Sequence, residues 1–476
     1  MSLSYSNRRE LAEGNLPALL FRYSWPALVA MTLNALYAVV DRIFIGQGCG
    51  VDSMAAITLV MPVMMFFGAF GVFIGAGHAA VLSIKLGEGA MQTCERLLGQ
   101  LVVLKVLFFS ILAPLVYLNL DTILIWCGAG KVTPGTFMLA KEYLSIVVFS
   151  HVFSHLAFGL SAMQRAEGSV IKSMNSLVVG FSVNLLLDPV FIFLFGMGVK
   201  GAAFATNVAM LSSAICAVGY YLKGDTVVRL RMSNLRIWKD LLLKPFAIGL
   251  SPFVQQLMSS LIIISLQIAF TSWIDDETAR TNQIASLGVF HASLILILMP
   301  ILGCQQGLQP IFGYNWGARN FARVYLTFKC GLAATGMLCF AAFVVQVVPP
   351  FPGLIAKMFI SSGNPEVLSL ATSDLQLSNC MIFCAALNIV STTYFQSIGR
   401  PLVALTLSLL RQGLVLLPAI WFLPYLFDDK PFAIWLAMPL ADVVCFVATF
   451  IPLYFHRRFL TRVKSREAVR FSFGSR

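Results

Sequence analysis

A chain of 476 residues has the length of two or three ordinary soluble domains. Its composition, 58% apolar and 11% charged, excludes them, because so few polar side chains cannot cover the surface of a water-soluble body this large. The 33 Lys and Arg exceed the 21 Asp and Glu by a net +12, but they sit in short loops between apolar runs and form no segment able to track a nucleic-acid backbone.

In chain order, the polar start (residues 1–22, with Arg8, Arg9 and Arg22) lacks an apolar stretch followed by a cleavage site, so no signal peptide is expected. Apolar windows of the size needed to cross about 30 Å of hydrocarbon then fall near 19–46, 54–77, 97–119, 142–163, 170–195 and 199–222. A basic connection follows, and six more windows lie near 245–272, 284–309, 324–349, 373–398, 402–426 and 432–456. Twelve membrane helices are therefore predicted. Counting Lys and Arg by side, 24 lie with the termini and the even-numbered connections, and six lie opposite. That bias places both termini in the cytoplasm of a cell (inner or plasma) membrane.

The connection divides the spans six and six. The expected organisation is an N-lobe (1–222), a basic cytoplasmic linker (223–244), a C-lobe (245–456) and a basic cytoplasmic tail (457–476). An even number of spans per half implies parallel repeats, two six-helix lobes related by a pseudo-two-fold axis along the membrane normal. Two echoes support duplication. Gly75 precedes Gly89-Ala90 as Gly303 precedes Gly317-Ala318, and Gln164, Gly168 and Pro189 are mirrored by Gln396, Gly399 and Pro418.

An ionisable group at bilayer depth costs about 2.5–3.5 kcal/mol or more, so each is read first as functional. Asp41 lies about 7 Å from the outer end of span 1, Asp188 about 10 Å below the end of span 5, and Thr206 about 10 Å into span 6. Asn184 is one turn from Asp188 on the same face, and Tyr37 one turn from Asp41. These five side chains define one oxygen-rich layer suited to a small hard cation or to a transferable proton. Arg42, next to Asp41, is expected to turn away toward the outer surface.

The second half offers Gln255, Gln256, Gln306, Asn388 and Tyr394 as polar candidates without an acid matched to Asp188. Arg411 and Asp442 are expected to meet as a buried pair. Asp374 is expected to be wet, near a span end. Pro26 inside span 1 removes a backbone hydrogen bond and is the candidate hinge. Gly71 and Gly75 read as a close-packing face. His151 and His155 lack the intervening Glu of a zinc-protease helix. No phosphate-binding loop of the G-x-x-x-x-G-K-[ST] kind exists, so nucleotide hydrolysis is not the expected energy source.

Five stretches, in order, carry a family resemblance: Val40 to Gly46 (VDRIFIG), Asn184 to Pro189 (NLLLDP), Gln306 to Asn315 (QGLQPIFGYN), Ser408 to Gln412 (SLLRQ) and Met438 to Asp442 (MPLAD). Across nearly its whole length the chain resembles the multidrug and toxic compound extrusion (MATE) family. The resemblance implies a non-enzymatic secondary transporter without a cofactor, a monomer in the lipid bilayer that exports cationic or amphipathic compounds against H⁺ or Na⁺. Asp41, Asn184, Asp188 and Thr206 match the coupling site of the branch that keeps its acids in the N-lobe. Where another branch has an acid in span 7, this chain has Gln255-Gln256. Two alternatives remain at this point. One is a lipid-linked-oligosaccharide flippase of the wider superfamily, which would be expected to show a strongly basic cavity. The other is an intramembrane prenyl-transferase-like enzyme using Asp275-Asp276-Glu277.

Overall fold

The computed structural model describes residues 10–49, 51–127, 133–223, 226–359 and 365–473, and every regular element in them is helical. Long apolar runs fold this way because the bilayer core offers no water to backbone N–H and C=O groups, and a helix satisfies them within one segment. The first half comprises α1 (Leu16–Cys49), α2 (Val51–Gly87), α3 (Met91–Leu118), α4 (Leu120–Trp126), α5 (Pro134–Val147), α6 (Ser150–Ala166), α7 (Val170–Pro189) and α8 (Gly198–Leu222). The second comprises α9 (Leu243–Trp273), α10 (Glu277–Gly317), α11 (Phe321–Val347), α12 (Phe351–Phe359), α13 (Pro365–Asn379), α14 (Ala385–Ser397), α15 (Pro401–Leu409), α16 (Leu417–Phe422) and α17 (Lys430–Phe473). Among the described residues, 11 stretches are long and apolar enough to cross a membrane; the pair α5 and α6 brings the number to 12.

That pair departs from the single straight span expected at 142–163, because α5 and α6 meet at a 49° bend. No proline or glycine marks the break. Side chains take up the backbone carbonyls it frees: the Ser150 hydroxyl donates to Val147 O (2.7 Å) and Asn207 Nδ2 on α8 donates to Ile146 O (2.9 Å). A hydroxyl or amide that competes for main-chain acceptors can bend a helix. Two further helices run well past their apolar windows. Helix α2 extends by nearly three turns, to Gly87, and α10 by about two, to Gly317.

Two compact units divide the chain. One holds Met1–Phe253, Leu302–Arg319 and Ser397–Gly399; the other holds Val254–Ile301, Asn320–Gln396 and Arg400–Arg476. In the first unit, the ends of α2 and α10 pack backbone against backbone. A side chain on Gly87 would strike Tyr314 O, and one on Gly317 would strike Ile84 O. The residues of these reciprocal contacts stand at equal separations in the sequence, as two copies of one contact must. The pattern repeats toward α1 and α9. Gly77 lies against Pro245 and Gly249 against Phe73, while Gly307 lies against Ser24 and Gly303 against Leu28, so the spacing of four along α2 and α10 is matched by a spacing of four along α1 and α9.

This register corrects the first sequence echo by two residues, because Gly303 corresponds to Phe73 and Gly317 to Gly87. The residue two past each helix end is left-handed in both copies, at Gly89 (φ 76°) and Arg319 (φ 58°). The second echo keeps its glycines, since Gly168 (φ 93°) and Gly399 (φ 77°) both turn the chain into the next helix.

The Gly71 and Gly75 pair packs closely at Gly75, where a Cβ would lie 3.7 Å from Gly159 Cα, and also makes room for side chains. The imidazole of His155 fills the space over Gly71, and the Lys105 amine lies over Gly75 and donates to Gly71 O (2.6 Å). These glycines thus open a slot for side chains from α3 and α6. The His151 and His155 rings lie parallel there, with centroids 5.3 Å apart and planes at 15°. Their in-plane lone pairs therefore do not converge on one metal ion.

The turn between α6 and α7 anchors the linker that follows α8. Glu167 is fully buried, and its Oε2 accepts from Val228 N (3.0 Å) beside Tyr220 and Tyr221. Burial pushes its carboxyl up from 4.5 to about 8, partly offset by these hydrogen bonds. A buried acid with a raised value penalises the ionised native state, so stability falls as pH rises from about 4.5 to 8. Glu167→Gln keeps an acceptor for Val228 and removes that penalty. The variant is expected to melt higher than the parent at pH 8.5, with the gap closing by pH 4.5, when heated samples are followed by size-exclusion chromatography.

Candidate functional site

Helix α1 packs on α7, and α7 on α8, through two apolar clusters. One cluster includes Ile45, Ile192, Val199, Ala202 and Ala203; the other is built on Ala30, Leu177, Phe181 and Met210. Asp41, Asn184, Asp188 and Thr206 come from the helix turns between these clusters, and all four are buried. At the i,i+4 spacing, Asn184 Nδ2 donates to Asp188 Oδ1 (3.2 Å). Asp188 Oδ2 and Asn184 Oδ1 have no hydrogen-bond partner among the described residues. The Asp41 carboxyl is close enough to act on Asp188 as a like charge.

Two acids and two unsatisfied oxygens thus share a layer sealed from both sides by hydrocarbon. A buried acceptor without a donor costs about 1–3 kcal/mol, a cost that a proton or small cation would relieve. The donor set, carboxylate and amide oxygens, is that of a hard ion. The Tyr37 and Arg42 side chains lie outside the described residues. Pro26 is buried inside α1, well below the acids.

The second-half candidates do not gather into one site. Asn388 donates to Leu407 O (3.4 Å) and Thr449 Oγ1 (3.3 Å), and Tyr394 OH pairs with His456 Nε2 (2.7 Å). Gln255 is half-buried and Gln256 exposed on α9. Gln306 lies apart from these, in a small hollow of the first unit with Ser83, Arg165 and Gln309. Arg411 and Asp442 do meet, Nε to Oδ1 at 2.7 Å, with the Arg on a π-helical stretch (Leu410–Leu416) that carries one helix into the next.

Asp374 corrects the expectation of a wet acid. It is buried and accepts from Ser286 Oγ (2.5 Å), beside the Trp435 indole that donates to Gln283 Oε1 (3.2 Å). The signal missed was Pro365, which starts the helix two turns before the apolar window and carries Asp374 into the packed region. Asp276 is occupied with ending a loop, since its Oδ2 caps α10 through Ala279 N (2.6 Å). No group of three or more His, Cys, Asp or Glu side chains is placed to hold a metal ion among the described residues.

A model of one family, MatE, matches residues 26–190 and again 256–422, one copy in each half. The chain belongs to the MatE family. Among curated relatives, multidrug export protein MepA of Staphylococcus aureus (strain MSSA476) is 24% identical over 93% of this chain and 94% of its own length. MepA of Staphylococcus haemolyticus (strain JCSC1435) is 25% identical over 91% and 92%. Among solved structures, a ligand complex of the MATE multidrug transporter DinF-BH is 31% identical, with a TM-score of 0.83 over 93% of this chain and 96% of that one. A MATE protein in its bent conformation shares 19% identity and the fold, with a TM-score of 0.87 over 98% and 100%. The two-lobe, twelve-helix MatE architecture and the duplicated match account together for the reciprocal pairs of glycine contacts.

Proposed function

We propose that this MatE protein is a secondary active exporter of cationic or amphipathic organic compounds, driven by inward movement of H⁺ or Na⁺. The observation that carries this reading is the sealed layer of Asp41, Asn184 and Asp188, with its unsatisfied oxygens. With neither acid neutralised, two negative charges share a low-dielectric layer, and taking up a cation removes their repulsion. A conformation that admits the ion and one that admits the organic cation then differ in the charge they tolerate, which is the requirement for exchange. Thr206 contributes a hydroxyl to the same layer, and Tyr37 a phenol in this reading.

Pro26 supplies a soft point in α1, whose far end carries Asp41, so loading the acid biases the bend of that helix. The names of the relatives, multidrug export proteins and a multidrug transporter, support an organic dye or drug as cargo. In this reading the termini and the linker face the cytoplasm. The lobes divide at 222 and 245, and the monomer is the working unit.

Everted membrane vesicles test it. Ethidium or rhodamine uptake is expected to begin when an inward-equivalent H⁺ or Na⁺ gradient is imposed, and to collapse with an ionophore for that ion. Uptake that ignores both gradients would overturn the proposal, and the ionophore that abolishes it names the coupling ion.

A further inference from the structure

The linker after α8 is strapped to the start of α3. Trp238 N donates to the buried Gln100 Oε1 (3.1 Å), and Gln100 Nε2 donates to Leu241 O (3.4 Å). Gly99 is small enough to lie directly on Asn234. This fixes one unusual arrangement. The guanidinium carbons of Arg96 and Arg236 lie 4.2 Å and 3.7 Å from the centre of the Trp238 ring. Arg231 has Glu95 as a counter-ion (3.0 Å), but neither Arg96 nor Arg236 is paired with a carboxylate among the described residues. Two guanidiniums held on one indole without a carboxylate partner concentrate positive charge at this point, and an anion at the edge of the ring, within reach of both, would offset it.

Apolar side chains flank them without cover, with Met232 77%, Ile237 41% and Leu243 80% exposed. Water does not favour such a surface, whereas the boundary between headgroups and acyl chains does. The linker joins the ends of two membrane helices, so it lies at that boundary. The geometry points to a binding site for the phosphodiester of an anionic phospholipid, with Arg96 and Arg236 on the phosphate and Met232, Ile237 and Leu243 against the acyl chains.

Native mass spectrometry of the delipidated full chain tests this with phosphatidylglycerol, phosphatidylcholine and inorganic phosphate as separate probes. Phosphatidylglycerol is expected to be retained about thirtyfold better than phosphatidylcholine, the scale of about 1 kcal/mol for each of the two basic residues near a charged headgroup. Arg96→Gln/Arg236→Gln is expected to erase the preference, and Arg323→Gln/Lys329→Gln, which removes equal charge from α11, to leave it intact. Arg236→Gln alone, at an exposed position, serves if the double variant does not fold, and should reduce the preference by itself. Equal retention of the two lipids, equal loss in the α11 control, or displacement of the lipid by millimolar inorganic phosphate would overturn the assignment.

Discussion

Replacing Asp188 by asparagine is expected to abolish gradient-driven dye uptake while leaving the protein folded. Asparagine has the shape of aspartate and retains an oxygen toward Asn184 Nδ2, now 3.2 Å from Asp188 Oδ1. What it lacks is a charge to be loaded and discharged. Coupling free energies of about 1–3 kcal/mol correspond to a loss of about 5–150-fold in the advantage a gradient confers. Asp41→Asn is expected to fall in the same range, because the two acids act on each other across one layer. If they work as a unit, the double variant is no worse than either single one, since the second substitution removes nothing the first has left. Thermal stability of Asp188→Asn should equal or exceed that of the parent, as the like-charge pair is gone. The check is initial dye uptake in everted vesicles beside a melting curve of the same preparation. Undiminished uptake in both single variants would sink the proposed role of the layer.

The fold was legible wherever the bilayer dictates it. Apolar windows locate helices because nothing else satisfies a backbone in hydrocarbon, so all twelve spans have counterparts. Their ends were less legible. Residues beyond the apolar window of α2 and α10 are polar enough to leave the membrane, yet their glycines let the two helices continue against each other. The bend between α5 and α6 carried no proline or glycine signal, and one of the two side chains that take up its freed carbonyls, Asn207, comes from a different helix.

In the site, the Asn184 and Asp188 pairing followed from helix periodicity, and the meeting of Asp41 with them from matched depth. The amides of the second half carried no such signal. Asn388 and Gln412 answer a carbonyl and hydroxyls on neighbouring helices, and one sequence does not name the partner. Asp374 went unrecognised for a local reason, since the helix that buries it begins outside the hydrophobic stretch.

Asp442→Ala is expected to cost about 3 kcal/mol, the lower end of the penalty for leaving one member of a buried ion pair without the other, because the Arg411 side chain is 31% exposed. Asp442 is 4% exposed, and its Oδ1 is 2.7 Å from Arg411 Nε, so truncation leaves a guanidinium with no counter-charge in an apolar bundle. Heated samples of the variant should lose their monodisperse size-exclusion peak at a markedly lower temperature than the parent. Replacing both partners, as Arg411→Met/Asp442→Leu, removes the orphaned charge along with the pair and should restore most of the melting temperature. That double variant also separates two roles. A pair that only locks the π-helical stretch to α17 gives way to apolar packing without loss of dye export. A pair that takes part in coupling leaves a stable protein that no longer responds to the gradient. The 2.7 Å contact between Arg411 Nε and Asp442 Oδ1 favours the first outcome, because a carboxylate already neutralised by arginine has no charge left to exchange.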